Sequence, residues 1–85
     1  MRIEYSEHAV KTLMKMDRVT QIAFLEHVEK IAGTGPRRHL KYGQPFNVEN
    51  VGQGRIVFQI EGDTLYITRC FDNHKQYMKW IKSLE

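Results

Sequence analysis

The chain has 85 residues, 41% of them hydrophobic, and 13 Lys+Arg against 10 Asp+Glu give a net charge of +3. That suffices for one modest core but not two, and it excludes a disordered chain, while the mild positive tilt permits a phosphate-bearing partner without demanding one. A lone Cys70 excludes an internal disulfide framework and points to a reduced, cytoplasmic setting, and no apolar run has signal-peptide or membrane-spanning length.

Residues 2–5 alternate polar with apolar and predict a short strand. Ser6 is an N-cap candidate, and Glu7 suits the first turn behind it. Ala9, Val10, Leu13 and Met14 then mark a helical face to about residue 16. Asp17 reads as a second cap. Behind it Ile22, Leu25, Val28 and Ala32, with Phe24 and Ile31 beside them, predict a longer helix that Gly33, Gly35 and Pro36 stop. The two helices make a hairpin. A basic loop, Pro36 to Pro45, carries Arg37, Arg38, His39 and Lys41.

Three strands follow, over 46–51, 55–61 and 64–71. Gly62-Asp63 gives a two-residue turn that pairs Ile60 with Leu65 and Phe58 with Ile67. Gly52-Gln53-Gly54 reads as a three-residue loop with a bulge, pairing Val51 with Arg55 and Val48 with Phe58. On that register Phe46, Val48, Ile56, Phe58, Ile60, Leu65 and Ile67 share the core face. The other face, with Asn47, Glu49, Val51, Arg55, Val57, Gln59, Tyr66, Thr68 and Cys70, is half polar and left to water or a ligand. Arg69 is in phase with Leu65 and Ile67, which requires a bulge, a strand end or a place at the sheet margin. From Asn73 the period turns helical: Tyr77, Trp80, Ile81 and Leu84 form a stripe opposite Lys75, Lys79 and Lys82. The whole is one α+β domain, residues 1–85, ordered β-α-α-β-β-β-α, with a helical hairpin on one face of a small, mainly antiparallel curved sheet.

Arg55 on the open face, beside a glycine loop, is either a surface arginine at a strand end or a fork for phosphate oxygens. His74 and Tyr77, one helical turn apart, are equally a satellite of the core or an acid–base imidazole with a stacking or hydrogen-bonding phenol. His8, His27 and His39 are too scattered for a metal site, and nothing in the sequence demands a metal or cofactor. Cys70 has no motif for nucleophilic chemistry and reads as a small sheet residue.

The stretch Val51-Gly52-Gln53-Gly54-Arg55-Ile56-Val57-Phe58, then Leu65 to Cys70, then His74-Lys75-Gln76-Tyr77, together with the opening MRIEYSEHAVKTL, resembles the RelE/ParE superfamily of toxin–antitoxin proteins over nearly the whole chain. The resemblance implies a RelE-like fold. It implies a RelE-type toxin, a ribosome-dependent endoribonuclease that cuts mRNA by 2′-hydroxyl attack on the adjacent phosphate and is neutralised by a RelB-like antitoxin. The antitoxin would cover the open face or displace the C-terminal helix. A ParE-like toxin that binds DNA gyrase, or a binding module without catalysis, is the alternative. On the endoribonuclease reading Arg55, His74, Tyr77, Lys75 and Glu49 are the catalytic residues, and Arg37, Arg38, Lys41 and Arg69 bind RNA. Lys75 stands where the family often has arginine, and Asn47 and Glu49 stand where RelE carries lysines. Glu49 is then a candidate base.

Overall fold

Two side-chain caps start the helical layer. In the computed structural model, which describes residues 1–34 and 46–84, Ser6 Oγ accepts from the Ala9 N–H at 3.0 Å and opens α1, Glu7–Lys15. Asp17 Oδ1 accepts from the Thr20 N–H at 2.8 Å and opens α2, Arg18–Thr34. Each satisfies an N–H that a helix start leaves orphaned. Gln21 Nε2 donates to the Leu13 carbonyl at 2.9 Å and ties the two helices together.

The remaining elements are β1 (Arg2–Tyr5), β2 (Asn47–Val51), β3 (Gly54–Glu61), β4 (Thr64–Phe71) and α3 (His74–Ser83), in the expected order. They form one mixed sheet, β1-β4-β3-β2, antiparallel except where β1 runs parallel to β4. The basic loop with Arg37, Arg38, His39 and Lys41 lies outside the described residues.

The Gly62-Asp63 turn pairs Glu61 with Thr64, and the expected Ile60–Leu65 and Phe58–Ile67 register is observed. The β2–β3 turn is tighter than expected. Val51 pairs with Gly54, Asn50 with Arg55 and Asn47 with Phe58, so only Gly52 and Gln53 turn the chain, with Gly52 at φ 59°. That conformation is readily open to a residue without Cβ. The one-residue difference reverses β2: Asn47, Glu49 and Val51 share the face of Ile56 and Phe58, and Val48 goes to the other side with Val57.

A β-bulge settles Arg69. Val57 pairs with Arg69 and Phe58 with Ile67, leaving Thr68 as the additional residue of β4. Its hydroxyl donates to the Val57 carbonyl at 3.1 Å, and its own carbonyl accepts from Ser6 Oγ at 2.6 Å. Beyond the bulge the alternation changes phase. Cys70, expected on the open face, therefore pairs with Ile56 and lies in the core, while Arg69 crosses to the opposite face.

The core has two parts. Under the hairpin, Ala9, Leu13, Phe24, Val28 and Ile31 close on Ile56, Phe58, Leu65, Ile67 and Cys70. Each fully buried large side chain here contributes about 1.5–3 kcal/mol. Of the other apolar residues expected on the hairpin's inner faces, Ala32 is partly buried, whereas Val10, Met14, Ile22 and Leu25 are exposed, Met14 at 74%. On the other face of the sheet, expected to be open, α3 lays Tyr77 and Ile81 over Phe46 and Val57, with Val48, Phe71, Met78 and Trp80 packed around them. Among the described residues no helix is long and apolar enough to cross a membrane.

Candidate active site

Gly54 fixes where β3 begins. A Cβ there would stand 2.5 Å from Phe24 Cζ and 2.6 Å from the Phe71 carbonyl oxygen, so the strand enters the sheet pressed against α2 and the end of β4. The next residue, Arg55, pairs with Phe71. Two residues beyond Phe71, Asn73 Oδ1 accepts from the Gln76 N–H at 2.8 Å and caps α3, which makes His74 the first residue of that helix. The start of β3 and the start of α3 are thereby brought side by side.

The three residues singled out from the sequence converge here. Arg55 Nη2 stands 3.0 Å from His74 Nδ1. Arg55 Nη1 donates to the carbonyls of Gln53 at 3.1 Å and Gly54 at 2.8 Å, which anchors the guanidinium to its own turn. Its Cζ lies 5.7 Å from the Tyr77 ring centroid, a cation–π distance, and the His74 and Tyr77 centroids are 6.3 Å apart. A guanidinium has donors and no acceptor, so Nδ1 of His74 must accept. Nε2 is then the ring nitrogen that offers an N–H.

Tyr77 supports this group from below. It is 3% exposed and packs edge-on against Phe71 at 5.9 Å, so the ring belongs to the second core and is not a surface platform for a base. Lys75 follows His74 on the exposed side of α3. An open groove of about 820 Å³ is lined by Gln53, His74, Lys75, Lys79 and Lys82, among others. Arg69 Cζ lies 5.5 Å from the centroid of Trp80.

Glu49 is not at this site. With β2 reversed, its carboxylate faces α2, where Oε1 meets His27 Nε2 at 3.1 Å, on the side of the sheet opposite Arg55. Asn47 is buried on that same side. The His27–Glu49 contact was not anticipated, since its two residues are 22 apart in sequence and carry no motif. Cys70 is buried and its thiol is pushed up to about 12 by desolvation, which leaves it protonated and unreactive. Among the described residues no group of three His, Cys, Asp or Glu could hold a metal ion.

With this geometry the molecule can be set beside solved structures. The isolated RelE toxin of E. coli superposes with a TM-score of 0.72 over 99% of this chain and 98% of that one, at 13% identity. The chain has a RelE-like fold. A second structure, the RelB–RelE antitoxin–toxin complex of Methanococcus jannaschii, matches with a TM-score of 0.67 over 89% of this chain and 95% of its counterpart, at 16% identity. At such identities the likeness is one of fold. No family model matches the chain, and no curated protein matches it significantly in sequence. The RelE-like order and sheet are those expected from the sequence.

Proposed function

We propose that this chain is the toxin of a RelE-type toxin–antitoxin pair, a ribosome-dependent endoribonuclease held inactive by a RelB-like antitoxin in the cytoplasm. One observation carries the reading. On a RelE-like fold, Arg55 and His74 touch at 3.0 Å beside an open groove whose lining includes three lysines.

The mRNA phosphate sits against Arg55. A guanidinium has five N–H donors, more than the three contacts described here use, and it stays charged as the phosphorus gains a fifth oxygen. The 2′-hydroxyl passes its proton to water, its oxygen attacks that phosphorus, and the bond to the 5′-oxygen breaks, giving a cyclic phosphate. His74 donates a hydrogen bond from Nε2 to the departing oxygen, which takes its proton from water. Arg55 orients the imidazole for this step, and Tyr77 sets the height of both. Lys75 adds charge beside them. These residues account for charge stabilisation and for a hydrogen bond to the leaving group; Glu49, on the far side of the sheet, takes no part in removing the 2′-proton.

Mapping mRNA ends on translating ribosomes tests this. The parent protein yields cuts within the translated codons, and Arg55→Ala and His74→Ala abolish them. Growth arrest without new mRNA ends overturns the reading. The position of Glu49 favours a second reading, a ParE-like toxin or binding module without RNA chemistry. In that case arrest persists in both variants, and a gyrase supercoiling assay separates the gyrase poison from the module.

A further inference from the structure

A second groove, of about 540 Å³, opens on the other side of the α3 N-terminus. It is lined by His8, Thr12 and Lys15 of α1 and by Asp72, Asn73 and Gln76, with Cys70 and Phe71 at its floor. Asn73 and Gln76 also line the lysine groove beside His74. The two grooves therefore adjoin at these residues in a trough whose lysine arm His74 lines.

The charge along this trough has one dominant sign. His8, Lys11 and Lys15 recur at three- and four-residue spacing on α1 and so occupy one face of the helix. Burial, then the fields of Arg69, Lys11 and Lys15, hold the His8 imidazole below its ordinary pKa, which marks three cationic groups near it. Against them stand Glu7, 3.5 Å from Lys11 in an exposed pair, and Asp72, which accepts from Asn73 Nδ2 at 3.2 Å. Across the helix start, Lys75, Lys79 and Lys82 line the other arm, and among the described residues no acid joins them in its lining.

We infer that the trough is the track of a single RNA strand, with the α1 face of His8, Lys11 and Lys15 binding phosphates on one side of the cleaved bond and the α3 lysines binding those on the other. This rests on the endoribonuclease reading and adds α1, which that reading does not use. Single-stranded nucleic acid needs such a run of cations because its phosphates are spaced along an extended chain, and each contact releases bound counterions. A protein docked in the trough would meet the same cations with fewer and less regular charges.

The test is fluorescence anisotropy of labelled four- and twelve-nucleotide oligouridylates over a series of salt concentrations. The variants are Lys11→Gln/Lys15→Gln, Arg55→Ala and, as a control of equal charge loss on α2, Arg18→Gln/Lys30→Gln. For the long strand, the α1 pair is expected to weaken binding about tenfold at low salt and to flatten the salt slope by about 1.4, the value for two lost single-strand phosphate contacts. The control and the short strand shift by less than about threefold. If the α1 pair binds the long strand as the parent does while Arg55→Ala still weakens it, the track is overturned and the endoribonuclease reading stands. If the parent binds neither strand, the track is overturned, while the endoribonuclease reading stands or falls separately with the mRNA ends mapped on ribosomes. Equal affinity for polyglutamate of the same charge also overturns the track.

Discussion

Arg55 donates from Nη2 to Nδ1 of His74 at 3.0 Å, across 19 residues of sequence. The contact ties the protonation state of one side chain to the position of the other. Arg55→Lys keeps the charge and loses both the fork and this bond. We expect mRNA cleavage to fall about a hundredfold or more, as when a single preorganised donor is removed from a transition state. Unfolding in urea should change by less than about 1 kcal/mol, since the guanidinium sits at the surface rather than in the core.

Glu49→Gln gives the opposite outcome. Its carboxylate meets His27 on the α2 side, and both side chains are about a fifth exposed, at 22% and 23%. Cleavage should stay within about twofold of the parent, while stability falls by about 1 kcal/mol or less for a partly solvated pair. A hundredfold loss of cleavage would put the carboxylate back in the chemistry.

Gly54→Ala tests the positioning of the site by packing. The new methyl would meet Phe24 Cζ at 2.5 Å and the Phe71 carbonyl at 2.6 Å, and the second of these is backbone. Destabilisation of about 1–3 kcal/mol is expected in urea unfolding, together with weaker cleavage as Arg55 is pushed from His74.

Asp17 predicts an acid-side pH dependence. Its carboxyl is held below its ordinary value chiefly by the backbone N–H of Thr20. A depressed folded value gives stability that is present above the unfolded carboxylate range and lost as pH falls through the folded value. Asp17→Asn keeps the cap without a titrating group. The melting temperature of this variant should therefore fall less steeply than that of the parent on acidification below pH 4, the only region in which the two curves should converge or cross.

Cys70 predicts the alkaline limb. Burial raises its thiol from 9.0 to about 12. The unfolded thiol ionises first, so stability declines from about pH 9 towards 12. Alkylation by iodoacetamide at pH 8 should follow unfolding. Rapid labelling of the native protein would show the thiol to be accessible.

How much of this was legible in the sequence differs between elements. Ser6, Asp17 and Asn73 announce helix starts because capping is local chemistry. The Gly62-Asp63 turn fixes the β3–β4 register because alternating apolar residues on both strands allow no slip. Gly52-Gln53-Gly54 leaves a two- and a three-residue turn equally open in composition, and the choice reverses β2. That is why Glu49 was expected beside Arg55 and lies behind the sheet. Arg69 was out of phase because the Thr68 bulge carries no residue signature of its own. Arg55, His74 and Tyr77 were found together because the motif spans the start of one strand and the helix after its neighbour, which an antiparallel pair brings to the same end. The burial of Tyr77 was one of two open readings, and only the packing of α3 decides it.

The parallel pairing of β1 with β4 has a consequence for biosynthesis. Ser6 reaches Thr68 across 62 residues, and among the described residues β1 has its single sheet partner in β4, at the same separation. Contacts so distant in sequence form late, after long loops have closed. While the ribosome is still extending the chain, the first helices have no sheet to rest on, and Arg55 has no His74 beside it. A nascent chain stalled before β4 therefore holds Arg55 without its contact to His74.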